Sequence, residues 1–405
     1  MTQYKPLFIL KNVIKTYAWG DRKMLPDLLQ YENQANIPQA ELWMGTHPNG
    51  TSFTEVNNTL ISLQDLIQTD PQFFLGKDHI SQYGEELPFL LKVLAIGTPL
   101  SLQVHPSKTH AEEGFYEENR HTNSPSTHEN RIYKDNNHKR ELLVAYNDEF
   151  WALCGFRSYT SIIEGLMPIA SETLQQILHD LRVSPSSSSL QQFIYSLLSL
   201  SQEEKEEIII KTMQVITSTS QSFTQQHPYF WIKKLWDIHP HDIAILAPLY
   251  MNIVHIPQNK AIFVDSGTIH SYLQGIGIEI LTLSDNVIRF GLTPKPIDIA
   301  SLRKIVRFEP IYPEILQMDI STHSFSTPCQ EFLLSYQSIN NTNPFILQSN
   351  NTAQIILALN GKAYIYTNRN KLYKILQQGQ SIFVPHNAGS YCFRGESTLF
   401  IASTP

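Results

Sequence analysis

Cysteine is scarce in this sequence of 405 residues. The three cysteines, Cys154, Cys329 and Cys392, are widely separated, and none of them forms a Cys-x-x-Cys pair. An odd count with this spacing argues against a disulfide framework and against a thiolate metal site. We therefore expect three free thiols, buried as cysteine usually is.

Long apolar runs and basic clusters are also missing. No stretch of the sequence approaches the about 18 apolar residues of a membrane-spanning helix, and the short apolar run before Lys11 lacks the features of a signal peptide. The net charge is −7, and no cluster of Lys and Arg suits a polyanion. These absences favour a cytoplasmic protein that binds a small metabolite and neither nucleic acid nor a membrane.

What is present is the composition of a large folded chain, with 42% hydrophobic and 17% charged residues. Such a chain can form two or three domains. Short strand-like runs separated by turns, such as Leu90–Ile96 and Glu141–Tyr146, fill the first part. Near residue 160 the apolar spacing becomes helical, and Ser201–Glu204 has the form of a capping box.

Strand-like patterns return at Asp242–Ala247 and continue to the end of the chain. A helical block thus interrupts a mainly β protein. We predict a β domain formed by residues 1–155 and 241–315, a helical insertion at 156–240, and a second β domain at 316–405.

A weak internal repeat links the two β domains. Ile262–Val264 and Ile382–Val384 each lead through a loop of small residues to a Ser-Tyr pair. The second copy has no histidine that matches His270. If the repeat is real, the protein has two related β units, of which the first alone can hold a metal.

Gln103 and His105 stand two residues apart in a strand-like run. Side chains at positions i and i+2 share one face of a strand, so both can reach one ion. Because a zinc site needs about three or four protein groups, Glu141 and His270 are candidates for the others. No local spacing ties them to the pair, and among 15 histidines a hydrogen-bonded core residue is the ordinary alternative. The pattern alone leaves the site open.

Seven segments between residues 17 and 295 match one family, in the family's order. They are Tyr17–Gly20, Ala40–Pro48, Pro88–Leu94, Leu102–Pro106, Tyr133–Lys139 with Glu141, Tyr272–Gly275 and Ser284–Lys295. Through these segments the chain resembles the type I mannose-6-phosphate isomerases, in particular their bacterial members.

The resemblance implies tandem cupin domains, which are jelly-roll β-barrels, with a helical insertion and a metal-free C-terminal barrel. It implies a zinc-dependent interconversion of D-mannose 6-phosphate and D-fructose 6-phosphate through a cis-enediol(ate). One Zn²⁺ per chain would be held by Gln103, His105, Glu141 and His270. Where the family usually has proline before its glutamate ligand, this chain has Arg140, which frees the backbone and adds a charge.

The resemblance also implies roles around the metal. Arg289 is the expected stabiliser of charge on the sugar oxygens. His138 is a candidate base because histidine titrates near neutral pH. Lys139, Asp285 and Glu279 are rivals, and each of them can instead orient a ligand or neutralise Arg289.

The expected substrate contacts are Lys92, Ser101 and Lys295 for the phosphate, with Trp19 and Glu41 beside the sugar. A solvated loop lysine and a core tryptophan are the alternatives for Lys295 and Trp19. A monomer is expected, with a dimer as the alternative.

Two other functions stay open at this stage. A non-catalytic cupin that binds a sugar phosphate or another small anion would need no cationic pair such as Lys139 and Arg289 beside its metal. A cupin oxygenase would have a histidine-rich set of iron ligands, in which Gln103 would be unusual.

Overall fold

The computed structural model describes residues 7–121, 131–219, 222–348 and 352–405. In these ranges the strands are β1 Phe8–Leu10, β2 Val13–Lys15, β3 Glu41–Met44, β4 Phe53–Val56, β5 Thr59–Ser62, β6 Phe89–Ile96, β7 Leu102–Val104, β8 Glu141–Ala145, β9 Phe150–Phe156, β10 Met251–Ile256, β11 Ala261–Val264, β12 His270–Thr282, β13 Ile288–Gly291, β14 Ile315–Leu316, β15 Leu333–Ile339, β16 Phe345–Leu347, β17 Gln354–Thr367, β18 Leu372–Gln377, β19 Ser381–Val384 and β20 Tyr391–Ser403.

The helices in the same ranges are α1 Met24–Leu29, α2 Leu63–Thr69, α3 Pro71–Phe74, α4 Lys77–Tyr83, α5 Lys108–His121, α6 Tyr159–Leu166, α7 Glu172–Val183, α8 Ser187–Ser199, α9 Gln202–Ser218, α10 Pro228–Ile238, α11 Ala247–Tyr250 and α12 Ile299–Ile305. A 3-10 helix, Ile243–Leu246, precedes α11. In the part of the chain that the structure describes, none of the helices is both long enough and apolar enough to cross a membrane.

The first β unit is built around the long strand β12. Its first half pairs with β7 and β9, and its second half pairs with β6 and β8. The strand changes sheet at Gly275, where φ is +121° and an added Cβ would lie 2.8 Å from the Cα of Phe150. Glycine is the residue that fits such a conformation and such a close approach. The two faces that β12 joins enclose the interior of this unit.

The outer faces of this unit pack in opposite directions. On the β6–β8 side, Leu91 and Leu142 join Ile355 and Phe400 of the C-terminal unit in one apolar core. On the β7–β9 side, Leu102, Leu153 and Phe290 join the helical block α6–α11 in another core. The first β unit is therefore held between the helices and the C-terminal sheet.

Serine side chains begin four helices of this block, and Ser158 caps the first of them, α6. Ser171 caps α7, Ser186 and Ser189 form a capping box at α8, and Ser201 and Glu204 form one at α9. Each cap satisfies backbone N–H groups that have no partner inside the helix. The box expected at Ser201 is confirmed, and the predicted class, mainly β with a helical insertion, is confirmed as well.

The prediction of a strand at Asp242–Ala247 is wrong, because these residues form the 3-10 helix and the start of α11. The Asp242 carboxylate accepts a hydrogen bond from the Ala244 N–H at 2.9 Å, which begins a helical turn. Ile243, Ala244 and Ile245 are all buried. A short helix that is apolar on every side has the same sequence pattern as a buried strand.

The C-terminal unit is a seven-stranded antiparallel sheet with the order β1-β19-β17-β20-β15, to which β16 and β18 are added. Phe8–Leu10 from the start of the chain pairs with 381–383 at its edge. The C-terminal unit thus also contains a strand from the start of the chain. The boundaries of the domains stay a prediction. The three cysteines are free, and Cys154 and Cys329 are buried.

Candidate active site

Three potential metal ligands meet at one end of the first β unit. His105 follows β7, Glu141 begins β8 and His270 begins β12, which pairs with both of those strands. Their ligand atoms lie within 4.8 Å of one another, and each residue is 1% exposed. The sheet thus joins residues that are far apart in the sequence.

Both histidines are oriented by backbone carbonyl groups. Nδ1 of His105 lies 2.7 Å from the Asn286 carbonyl oxygen, and Nδ1 of His270 lies 2.9 Å from that of Thr268. Since a carbonyl can only accept, each Nδ1 carries the proton and each Nε2 keeps its lone pair. The two Nε2 atoms lie 3.2 and 3.4 Å from the carboxylate oxygens of Glu141. This is the tautomer that a metal requires.

The charge state of the cluster also suits a cation. Burial lowers the pKa of His105 to about 4, with a further contribution from the Lys139 charge, so its ring is neutral. Burial alone would raise the pKa of Glu141, but the Lys139 ammonium and His105 lower it well below its usual range. Two imidazoles and one carboxylate are a donor set typical of Zn²⁺.

One atom of the cluster has no hydrogen bond. Nε2 of His270 is buried and has no hydrogen-bond partner among the described residues. Lys139 contacts Glu141, with its Nζ 3.3 Å from Nε2 of His105, and the Tyr272 hydroxyl donates to Glu141 at 3.3 Å. A buried nitrogen without a partner is costly unless something binds it. The residues therefore fit a metal ion.

Gln103 lies on β7, between a strand that carries His270 and a strand that carries Arg289. It pairs with His270 on β12 and with Arg289 on β13. Directly opposite residues of antiparallel strands point to the same face, so Gln103 shares the face of His270. Gln103 stays a predicted fourth ligand on this placement.

A second charged group lies in the same unit. Nζ of Lys92 is 3.3 Å from Glu41 and 3.8 Å from Glu279, and all three residues are buried. Burial alone would lower the pKa of Lys92, but the two carboxylates raise it. Burial raises the pKa of Glu279 to about 8, helped by the charge of Glu141. The Glu279 carboxyl therefore binds a proton more tightly than an exposed glutamate does.

Trp43 completes this group. Its indole N–H donates to Glu41, and its ring centroid lies 4.7 Å from Nζ of Lys92. Trp19, by contrast, is half-buried against the apolar interior of the first unit, with its ring beside that of Tyr17. Trp43, rather than Trp19, contacts the charged groups.

Arg289 and Ser101 form a third group. The Arg289 guanidinium donates to Oγ of Ser101 at 2.6 Å. Burial lowers the pKa of this half-buried guanidinium, which nevertheless remains a cation. Lys295 follows on the same chain segment but is exposed in the loop between β13 and α12.

His138 and Asp285 form separate pairs. Nε2 of His138 lies 2.9 Å from Glu331 of the C-terminal unit. Asp285 lies 3.2 Å from Nε2 of His47 and accepts from Asn49 at 2.8 Å. Burial alone would raise the pKa of Asp285, but the hydrogen bond from His47 and its charge lower it to about 2.

These two pairs line a cavity of about 1100 Å³ together with Tyr17 and Trp43, whereas the three clustered ligands are not part of its wall. In the extended segment before β8, Lys139 and Glu141 point inward, so the alternation of an extended chain turns His138 and Arg140 outward. Arg140 lies 3.0 Å from Asp265 on the outside. The arginine in place of the family's proline thus leaves Glu141 within the cluster.

Comparison with known proteins places this geometry in a family. The model of the type I phosphomannose isomerase catalytic domain matches residues 7–159. The mannose-6-phosphate isomerase of Escherichia coli K12 is 34% identical over 96% of this chain and 97% of the relative. The enzyme of Salmonella typhimurium LT2 is 36% identical over 93% and 94%.

The chain belongs to the type I mannose-6-phosphate isomerases. A crystal structure of a zinc-bound mannose 6-phosphate isomerase matches it with a TM-score of 0.90 and 31% identity, covering 98% of this chain and 99% of the other. The tandem cupin fold and the resemblance seen in the sequence are both confirmed.

The sequence did not reveal four residues that contact or orient side chains of the candidate site in this isomerase. They are His47, Asp135, Tyr272 and Asn286. All four lie in segments that match the family, which was the available sign of their importance. The role of Asn286 was hidden because its backbone carbonyl, rather than its amide side chain, orients His105.

Proposed function

We propose that this chain interconverts D-mannose 6-phosphate and D-fructose 6-phosphate. The observation that carries the proposal is the buried cluster of His105, Glu141 and His270, with both Nε2 atoms turned toward the carboxylate. It occurs in a chain that aligns over nearly its whole length with enzymes named for this reaction.

Zinc is the proposed cofactor, with one ion per chain. His105, Glu141 and His270 would hold it, and Gln103 is the proposed fourth ligand because it faces the same side as His270. A bound Zn²⁺ would polarise the oxygens at C1 and C2 of the open-chain sugar. A solved relative with the same fold is zinc-bound, which supports this assignment.

Arg289 is the proposed stabiliser of the enediolate. It faces the same side as Gln103, and its half-buried guanidinium would act where the field is weakly screened by water. Ser101 holds one of its nitrogens, which restricts its orientation. Charge on the sugar oxygens would therefore meet a cation that is already in place.

For the proton transfer we propose Glu279. Its carboxyl lies inside the unit with Lys92 and has a pKa of about 8, so it can hold or release a proton near neutral pH. Lys139 is the other inward-facing candidate, and its ammonium is engaged by Glu141. His138 and Asp285 are weaker candidates because they pair with Glu331 and His47.

For the substrate we propose contacts with Lys92, Ser101 and Glu41, and we keep Trp19 and Lys295 as sequence-based candidates. Lys92 is already paired with Glu41 and lies beside Glu279, so we expect it to orient the sugar more than to bind the phosphate. A cytoplasmic location and a monomeric state also stay predictions from the sequence.

A coupled assay with mannose 6-phosphate tests the proposal. We expect the zinc-loaded wild type to form fructose 6-phosphate, and we expect His105→Ala to lose both activity and zinc. Arg289→Ala should retain zinc and lose about 100-fold to 1000-fold in kcat, as removal of an oxyanion donor does. His179→Ala, at an exposed histidine, is the matched control and should behave as wild type. Absence of isomerisation by the zinc-loaded wild type would refute the proposal.

A further inference from the structure

The strand that carries Arg289 ends irregularly. Arg289 pairs with Gln103, but the next pairing joins Gly291 to Leu102, so Phe290 is an additional residue in β13. This is the pattern of a β-bulge, a feature that often lies beside functional sites and redirects a side chain. The bulge thus lies directly after Arg289.

The residue after the bulge has an unusual backbone. Leu292 has φ of +54° and is 3% exposed. A buried leucine in the left-handed region is an outlier that persists only where its surroundings enforce it. Neighbouring groups must therefore hold this turn.

Asp242 supplies the hydrogen bonds that hold it. One carboxylate oxygen accepts from the N–H of Leu292 at 2.7 Å and from that of Thr293 at 3.4 Å. The other oxygen accepts from the N–H of Ala244 at 2.9 Å, at the start of the 3-10 helix. A single side chain therefore links the helical block to the end of β13.

Close packing reinforces the link. A Cβ added to Gly291 would lie 2.3 Å from Cβ of Ala244. Phe290 and Leu292 belong to the apolar core of the helical block, together with Ile245 and Leu246. Since neighbouring residues of a strand face opposite sides, these contacts leave Arg289 facing the side of Gln103 and His270.

We infer that Asp242 is a positioning residue for Arg289: it fixes the bulge and the left-handed turn that aim the guanidinium into the first β unit. The inference deepens the proposed function, because it rests on Arg289 acting there. It also gives the helical block α6–α11 a part in the reaction, since Asp242 caps the 3-10 helix within that block. Asp242 itself acts through the backbone and is not expected to touch the substrate.

The first test is a double-mutant cycle on kcat/KM. We expect Asp242→Ala to lower kcat/KM by about 10-fold to 100-fold, the scale of a misplaced catalytic group, and to retain its zinc. In an Arg289→Ala background, the same substitution should change kcat/KM by less than about twofold, because the residue that it positions is gone. Fully additive losses would overturn the inference.

A matched control separates positioning from helix capping. Asp298 caps α12, with one oxygen accepting from two N–H groups and the other from Ser301 Oγ. Asp298→Ala should leave kcat/KM within about twofold of wild type. A loss as large as that of Asp242→Ala would overturn the specific role of Asp242. Asp242→Asn, which keeps one acceptor oxygen, is the second variant if the alanine variant does not fold, and a loss within twofold there would also contradict the inference.

Hydrogen exchange tests the same inference without the reaction. We expect the peptide that covers residues 288–293 to exchange faster in Asp242→Ala than in wild type, with no such change in Asp298→Ala. Unchanged exchange in Asp242→Ala would overturn the inference even if the enzyme is active. An inactive wild type with faster exchange in Asp242→Ala would instead refute the proposed function and leave the turn-holding role of Asp242 standing.

Discussion

The two β units share a strand–loop–strand segment but differ in what they enclose. β11 and β12 in the first unit correspond to β19 and β20 in the second, and the paired strands have the same lengths. Gly275 and Gly395 follow Val264 and Val384 at the same spacing, and both have strongly positive φ, +121° and +116°. The weak repeat in the sequence therefore coincides with a shared structural element.

The interiors are chemically opposite. In the first unit Glu279 pairs with Lys92 across the strands, and at the same spacing in the second unit Leu399 pairs with Ala358. The position that corresponds to His270 is Ser390, which is exposed. The second unit has an apolar interior that includes Ile356, Ile382 and Leu399.

This contrast shows how one scaffold serves two purposes. Buried charges are tolerated only when they are paired and hydrogen-bonded, and the charged groups of the first unit meet that condition through Lys92, Lys139 and Glu141. The second unit needs no such pairing and packs Ile355 and Phe400 against the outer face of the first. The second unit thus supports the sheet that contains the charged interior.

The largest expected difference between the units concerns the metal. His270→Ala should lose bound zinc and reduce kcat by about a thousandfold or more, since a metal supplies several kcal/mol of charge stabilisation. Ser390→Ala is the matched change in the second unit and should have no effect on either quantity. Elemental analysis and the coupled assay measure both, and retention of zinc by His270→Ala would contradict the comparison.

The next effect concerns the buried charges. Lys92→Met should destabilise the fold by about 3–5 kcal/mol, because it removes the buried cation beside the carboxyl groups of Glu41 and Glu279. The triple variant Lys92→Met, Glu41→Gln, Glu279→Leu makes this interior resemble the second unit and should recover wild-type stability while remaining inactive. Denaturant unfolding of the zinc-free proteins measures both, and a triple variant as unstable as the single one would show that pairing is not the cause.

Glu279 should also make the metal-free protein sensitive to pH. Its folded-state pKa of about 8 lies above its usual value of 4.5, so between these limits the folded state holds a proton that the unfolded state lacks. Stability should therefore fall as pH rises from about 4.5 to 8, by up to about 1.4 kcal/mol per unit. Glu279→Gln should remove this slope. An identical slope in the variant would assign the effect to another group.

The smallest effect concerns the contact between the units. The His138 imidazole, 2.9 Å away, lowers the pKa of Glu331 to about 2, below its usual value of 4.5, although burial opposes the shift. This pair stabilises the fold above pH 4.5, and its contribution is lost as pH falls toward 2. Glu331→Gln should cost about 1 kcal/mol at neutral pH and flatten acid unfolding in that window. An unchanged acid-unfolding curve would mean that the pair contributes nothing.

Local sequence patterns predicted the parts of the fold that depend on neighbouring residues. Short apolar runs marked strands such as β6 and β8, and the capping box at Ser201 marked the start of α9. The apolar run at Asp242–Ala247 failed because burial on all sides removes the periodicity that separates a strand from a helix. Asp242, which caps that helix, was consequently overlooked.

The candidate site was less accessible to local patterns because it joins distant segments. Glu141 and His270 reached the metal hypothesis through the family resemblance, since sheet pairing, which brings them to His105, leaves no spacing in the sequence. His138 was favoured for its chemistry, but the alternation of the extended chain turns it toward Glu331. The His47–Asp285 pair depends on a cavity wall that forms only in the folded chain.

Zinc titration of the stripped wild-type protein tests the central claim, that the first unit alone holds one catalytic metal ion. After chelation and removal of the chelator, isomerisation of mannose 6-phosphate should be absent. It should return in proportion to added zinc and level off at about one equivalent per chain. Full activity in the stripped protein, or a second equivalent required for full activity, would contradict the account.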